Sequence, residues 1–324
     1  MVLGIDTSCY TTSVALVGES GLAIDRRLLL EVPKGTRGLR QAEAVFQHVQ
    51  NLPNLLSEVL PRRDITGVAV SSTPRSVADS YMPVFKVGEG TAQSLALALD
   101  VPCYFTSHQA GHIWAGLHGT GLNWAGDFLA LHVSGGTTEV ALVRLDESRN
   151  MELSVLGGSL DIHAGQLIDR IGVELGLAFP AGPHLEKLAK EGRSQGIDSV
   201  DLPVSVSGLH ANLSGPEAAA KRALKRGADP LGLAQGIEDC VARTITALAK
   251  NAASDREQDR ILIVGGVAAN QYIRHFLATS LEEAGITVGF APSALSSDNA
   301  VGVAAYGLWQ AGTYRVHSCA TNGE

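Results

Sequence analysis

The chain has 324 residues, 45% of them hydrophobic and 18% charged, and carries a net charge of −8 at pH 7. That length divides naturally into two domains, each able to bury a core, and the composition fits a packed α/β enzyme rather than a disordered or fibrous chain. No apolar run approaches the ~18 residues of a membrane span, no basic signal-peptide region opens the sequence, and the acidic balance argues against strong unaided affinity for nucleic acid.

In chain order the pattern predicts strands at 2–8, 13–18 and 23–32, a helix over about 39–60 that Pro53 should kink, a strand at 65–71, a helix at 84–99 and a strand at 101–106. The region 107–120 reads as a crossing between lobes. The order then repeats: strands at 127–134, 138–145 and 151–157, a helical block from 163 to 251, a strand at 260–264, a helix at 268–284, a strand at 286–291 and a final helix at 298–311. The tail beyond Ala311 is polar and expected to fray. A βββαβα unit used twice is the plan of the actin-like ATPase fold, shared with sugar kinases and heat-shock ATPases, in which the nucleotide lies in a central cleft. The expected division is a first lobe over 1–107, completed by a C-terminal helix at 302–324, and a second lobe over 108–301 with a helical insertion.

Two segments look like copies of one device. Val2–Ser8 and Phe128–Thr138 each run from an apolar strand into a turn of small hydroxyl residues, with Ser134, Gly135, Gly136, Thr137 and Thr138 forming the second turn. Such a turn presents backbone N–H and hydroxyl donors with little bulk, which suits a phosphate. An ordinary hairpin can carry the same residues, but the repetition favours a nucleotide, with Asp6-Thr7-Ser8 and Ser134-Gly135-Gly136 facing one cleft.

Other residues carry chemistry by spacing. His108 and His112 stand at i and i+4, so one helical face can bring both imidazoles to one ion; solvated or core histidines are the plain alternative. A third ligand, a carboxylate from elsewhere, is then required. Asp298, at the start of the last helix, has the ordinary role of an N-cap. Gly265 and Gly266 end a buried strand ahead of a helix, in the segment Val264–Asn270, where α/β folds place phosphates or riboses. Asp169 could grip a ribose diol or be a surface charge beside Arg170. Cys9, Cys103, Cys240 and Cys319 form no CxxC pair and read as reduced cytoplasmic thiols.

Taken in order, Gly4-Ile5-Asp6-Thr7-Ser8-Cys9, His108-x3-His112, Val133-Ser134-Gly135-Gly136-x-Thr138, Asp161-x3-Gly165-x3-Asp169-Arg170, Pro180-x-Gly182-Pro183, Ser207-Gly208-Leu209, Gly265-Gly266-Val267-Ala268-Ala269-Asn270 and Ser297-Asp298-Asn299 resemble the Kae1/TsaD family, formerly classed as O-sialoglycoprotein endopeptidases of the M22 group. The resemblance covers nearly the whole chain. It implies transfer of threonylcarbamoyl from threonylcarbamoyl-adenylate to N6 of adenosine 37 in tRNA. By position it also implies His108, His112 and Asp298 as ligands of one divalent iron or zinc, Ser134–Thr138 as the phosphate-facing turn, and Asp169, Gly182 and Asn270 as contacts to the nucleotide, be it the adenylate, AMP or ATP. Asp6, Ser8 and Asp161 are the residues expected at the reaction centre. No covalent nucleophile is needed, which leaves Cys9 a packing role.

Departures from the family pattern are concentrated in acids. Tyr10-Thr11 stand where members carry Asp-Glu, Thr137 replaces a His, Ile162 and Gln166 replace an Asp and a Glu, Thr73-Pro74-Arg75-Ser76 replaces a Gly-Pro-Gly turn, and His210 replaces a Lys. These losses leave open a divergent paralogue that binds metal and nucleotide but acts on another acceptor, as a small-molecule carbamoyltransferase, or serves as a scaffold. A metalloprotease is the weakest reading, because no HExxH occurs, and a kinase would leave the histidines unexplained. With a net charge of −8, tRNA binding is expected to need partner proteins, and a homodimer or a heterodimer with a related family protein is expected.

Overall fold

The computed structural model describes residues 1–8, 10–32, 39–60, 64–77, 79–122 and 124–314. Cys9 and the tail from 315 onward, both subjects of the sequence reading, lie outside the described residues. The chain forms two compact units: one of Met1–Ala125, Asp146–Asn150 and the described part of Ala294–Glu324, the other of Gly126–Leu145 and Met151–Ser293.

In unit 1, β1 (Val2–Asp6) and β2 (Thr11–Gly18) are buried along their whole length. They read as continuous apolar runs because both sheet faces are covered. With β3 (Gly21–Leu29), β4 (Gly67–Thr73) and β5 (Cys103–Ser107) they make a sheet of order β3-β2-β1-β4-β5. β1 pairs antiparallel with β2 and parallel with β4. Alternate residues of a strand face opposite sides. Leu3, Ile5, Val14 and Leu16 therefore pack on α1 (Gln41–Val59) and α2 (Phe85–Leu99), while Val2, Ala15 and Val17 pack on α9 (Val301–Gln310). Each fully buried Val, Leu or Ile side chain among them contributes about 1.5–3 kcal/mol. α1 continues through Pro53.

The close fit of α9 depends on small residues. A Cβ on Gly302 would lie 1.8 Å from the Gly111 carbonyl oxygen of α3 (His108–Thr120), and one on Gly4 would lie 2.3 Å from that of Ala300. The stretch 107–120, expected as a crossing between lobes, is thus a helix of unit 1, and His108 and its neighbours belong to that unit rather than to the second lobe. The final helix ends at Gln310, short of the expected 302–324.

Unit 2 repeats the plan. β6 (Gly126–Val133), β7 (Thr138–Leu145), β8 (Met151–Ser159), β11 (Arg260–Val264) and β12 (Thr287–Phe290) stand in the order β12-β11-β6-β7-β8, the counterpart of β5-β4-β1-β2-β3. Two short strands, β9 (Val206–Ser207) and β10 (His210–Ala211), extend the β8 edge. They interrupt the 163–251 block read as helical, which otherwise holds α4 (Ala164–Glu174), α5 (Gly182–Gln195), α6 (Ser214–Lys225) and α7 (Pro230–Arg256). Two-residue strands leave no periodic signal. α7 lies at the centre of this core, with Leu233, Ile237, Val241, Ile245 and Leu248 buried. α8 (Gln271–Glu282) follows β11 after a 3-10 turn at Gly266–Ala269.

Candidate metal centre and nucleotide-binding turns

α3 starts where the Ser107 hydroxyl accepts from Ala110 N at 3.1 Å, an N-cap that fixes the first turn and with it His108. One turn on, His112 faces the same side, and the two Nε2 atoms lie 3.1 Å apart. Asp298 completes the group, its Oδ1 3.4 Å from each Nε2. The N-cap role foreseen for Asp298 falls instead to Asn299, whose Oδ1 accepts from Val301 N and Gly302 N. This exchange frees the Asp298 carboxylate to point at the histidines.

The donor set fits a divalent ion. Ligand atoms held ~2.0–2.1 Å from one tetrahedral zinc lie about 3.3 Å from one another, close to the observed separations. Behind His108, Asp6 is fully buried, and its Oδ2 takes Nδ1 of the ring at 3.0 Å. With Nδ1 carrying the proton, the Nε2 lone pair is directed at the cluster. Asp6 also accepts from Ser8 N, from Ser8 Oγ at 3.0 Å, and from the Ser71 hydroxyl. Burial opposes a charged His108, but the carboxylates of Asp6 and Asp298 outweigh it and raise its pKa well above the usual value. Burial likewise opposes an ionised Asp298, and the hydrogen bonds from His108 and His112 overcome it, holding the carboxyl well below its usual range. Tyr10, at the missing Asp of the family pattern, is 44% exposed, whereas Thr11 is 6% exposed on β2.

In unit 2 the Ser134–Thr138 turn joins β6 to β7. Gly135 and Gly136 are exposed, and a Cβ at either would meet nothing within 4 Å. α4 abuts the turn from behind, with Gly165 N donating to Ser134 O at 3.2 Å and Ala164 N to Thr138 Oγ1 at 2.9 Å. The positive end of the helix dipole therefore lies at the turn. Gly265 ends β11 beside it. Its φ is +99°, and a Cβ would fall 2.4 Å from Val133 O, so only glycine fits. The two glycine turns thus share the carboxyl ends of the paired strands β6 and β11, the place where open α/β sheets bind ligands.

The remaining expected residues are tied into the scaffold. Asp169 Oδ1 accepts from Ala181 N at 2.8 Å, fixing the turn into Gly182, and burial raises its pKa against the pull of the Ala181 and Gly182 amides. Asn270 caps α8 through Ile273 N and donates to the buried Glu238 at 2.6 Å. Glu238 in turn holds Arg193 at 2.5 Å. Asp161 accepts from Ile162 N, Leu213 N, Ser214 N and Ser214 Oγ. Burial would raise its pKa, yet the Ser214 hydroxyl and those amides hold it far below the usual range. Ser71 and Glu238 had no mark in the sequence, because their partners Asp6 and Asn270 lie far away along the chain.

A family model described as TsaD, tRNA N6-adenosine threonylcarbamoyltransferase, matches residues 32–305. The chain belongs to the TsaD family. It is 32% identical over 307 residues to the tRNA N6-adenosine threonylcarbamoyltransferase of Thermus thermophilus, a match covering 94% of this chain and 90% of that one. It is 30% identical over 305 residues to a protein of Methanothermobacter thermautotrophicus described as a probable bifunctional tRNA threonylcarbamoyladenosine biosynthesis protein. Of that longer relative it spans 54%. Among solved structures, the activator of the 2-hydroxyisocaproyl-CoA dehydratase from Clostridium difficile with bound ADPNP aligns at a TM-score of 0.54 over 96% of this chain and 95% of its own, at 15% identity. That likeness is one of fold, and the fold is of the actin-like ATPase type. As a TsaD-family member the chain is a transferase of the threonylcarbamoyladenosine type. No helix among the described residues is long and apolar enough to cross a membrane.

Proposed function

We propose that this chain moves threonylcarbamoyl from its adenylate to N6 of adenosine 37 of tRNA, with a metal held by His108, His112 and Asp298. The observation that carries the reading is the trio of donor atoms 3.1–3.4 Å apart, backed by Asp6 on His108, in a chain of this family. A divalent iron or zinc bound there supplies positive charge and open positions for polarising an acyl-phosphate oxygen. Asp6 keeps the proton on Nδ1 of His108. Ser8 and Ser71 hold Asp6 in place, so Ser8 acts by positioning and not as a nucleophile. The Ser134–Thr138 turn and the α4 N-terminus bind the phosphate, Gly265 and Gly266 admit the nucleoside, and Asp169, Gly182 and Asn270 shape its pocket. Asp161 positions α6 against the start of α4. In the transfer, the N6 amine forms a bond to the carbamoyl carbon, the carbon–oxygen bond to phosphate breaks, AMP leaves, and N6 loses one proton.

The setting for this chemistry is the cytoplasm, where tRNA is modified. The deciding experiment incubates the purified chain with threonylcarbamoyl-adenylate and tRNA, with and without partner proteins. Modified adenosine is read by mass spectrometry and AMP release in parallel. Metal-dependent formation of the modified nucleoside is the expected result. AMP release with no modified tRNA under any condition would overturn it and favour another acceptor, the outcome that the loss of acids at Tyr10 and Thr11 makes worth measuring.

A further inference from the structure

Unit 2 carries one dense run of positive charge that the proposed chemistry does not use. Lys221, Arg222 and Lys225 lie in the last turns of α6 and Arg226 is its C-cap, in a chain whose net charge is −8. Lys221 is held by Glu174 and Glu217 at 3.0 and 2.8 Å. Arg222, Lys225 and Arg226 are exposed, share one helical face at i, i+3 and i+4, and form no ion pair among the described residues. Like charges at i and i+4, here Lys221 with Lys225 and Arg222 with Arg226, weaken a helix. A single cation in the last turn would answer the helix dipole. The run therefore exceeds what folding requires, and its complement is an anion outside the chain.

Shape and position narrow the anion. Arg222 and Arg226 line an open depression of about 490 Å³ together with Gly227, Ala228 and Asp201. The Asp201 carboxylate there is paired with Arg243 at 3.3 Å, so it does not cancel the two arginines. At its other end α6 is tied to Asp161 through Ser214 N and Oγ, and three residues beyond Asp161 the α4 N-terminus abuts the Ser134 turn. Twelve helical residues span about 18 Å. A polyanion with evenly spaced charges, reaching from this strip toward the phosphate turn, matches this layout.

We propose that the Arg222–Lys225–Arg226 face of α6 grips the phosphate backbone of an RNA strand, and that in the transfer reaction it holds the tRNA segment flanking the modified adenosine. The inference rests on the transferase reading for its tRNA, but its test is separate. Binding of a tRNA transcript to the full chain is measured across 50–200 mM salt, a range chosen for the test, for the wild type, for Arg222→Gln/Lys225→Gln/Arg226→Gln and for a charge-matched control, Lys187→Gln/Lys190→Gln/Lys250→Gln. Each phosphate contact contributes about 0.7–0.9 to the log–log salt slope. The α6 variant is expected to lose about 2–3 from that slope and to bind at least about tenfold more weakly at 0.1 M salt, with AMP affinity unchanged and the control near wild type. Equal slopes in wild type and α6 variant, an equal loss in the control, or no salt-dependent binding by the wild type overturns the proposal. Formation of the modified nucleoside by the wild-type chain at saturating tRNA reports the transferase reading, whereas the salt slope reports the α6 face, so either idea can fail while the other stands.

Discussion

Oδ2 of Asp6 lies 3.0 Å from Nδ1 of His108, and the imidazole is thereby caught between a buried carboxylate on one side and Asp298 on the other. The carboxylate decides which ring nitrogen faces the metal position. Asp6→Asn keeps the shape but can meet either tautomer, so metal affinity should fall about 10–100-fold, and His112→Ala, which removes a donor, should cost more. Competitive chelator titration measures both. An Asp6→Asn chain that holds metal as tightly as wild type would remove the carboxylate from the site.

Gly302 should be as sensitive as a ligand although it touches none. Its missing Cβ lets α9 approach α3, and an added methyl would meet the Gly111 carbonyl at 1.8 Å. Overpacking of this kind costs about 1–3 kcal/mol. Gly302→Ala is predicted to lower the melting temperature by a few degrees and to weaken metal binding together, because the histidines sit on α3 and Asp298 lies three residues ahead of α9, the two helices being pushed apart. Lower stability with intact metal affinity would show that the cluster does not depend on this packing.

The strand order of both units follows from the repeated βββαβα pattern, because apolar runs bounded by glycine turns survive as a one-dimensional signal. His108 and His112 were legible for the same reason, lying one turn apart. Asp298 was legible only through resemblance, since nothing local distinguishes it from an N-cap. Its neighbour Asn299 took that role, accepting from Val301 N and Gly302 N. Ser71 reaches Asp6 from an adjacent parallel strand 65 positions away, and no spacing rule links them. β9 and β10 exist because an exposed β8 edge was available, which only the folded sheet reveals.

Asp169 should show two effects at once. Removing its carboxylate leaves the buried Ala181 N–H without its acceptor, a loss of about 1–3 kcal/mol. Asp169→Ala should therefore reduce the denaturation midpoint and weaken AMP binding about tenfold, while Asp169→Asn, which retains an acceptor oxygen, should recover most of the stability. Calorimetry giving wild-type AMP affinity for the alanine variant would move the nucleotide away from this turn.

His48 provides a pH dependence independent of the metal. It is fully buried on α1, with Nδ1 2.9 Å from Thr12 Oγ1, and burial lowers its pKa to about 4 against the weaker opposing pull of Asp6. The unfolded chain takes up this proton near pH 6.5 and the folded chain only near pH 4. Stability from this group is thus complete above about pH 6.5 and is lost as pH falls toward 4, by about 3 kcal/mol in all. Denaturant titrations across that range should show the slope in wild type and a flatter profile in His48→Gln. Identical profiles would exclude the imidazole as its source.

Tyr10 is the position at which a lost acid can be returned. Its exposure tolerates a charge that the buried Thr11 would not. General acid–base assistance is worth about 10²–10⁴ in rate. Tyr10→Asp is expected to raise the rate of tRNA modification by at least about tenfold at unchanged stability, and no change in rate would show that the missing acid did no proton transfer.

Ala300 N donates to Ser13 Oγ across 287 positions of sequence, and this bond docks α9 on the first strands of the chain. During synthesis the N-terminal portion emerges first. Asp6, His108 and His112 are then present without Asp298, and the side of the sheet formed by Val2, Ala15, Val17 and Ala69 lacks its covering helix. An incomplete nascent chain therefore has two imidazoles but no third donor and a bare apolar face. A chain cut short before residue 298 therefore lacks the third donor of the proposed metal centre and leaves bare the apolar face that α9 covers.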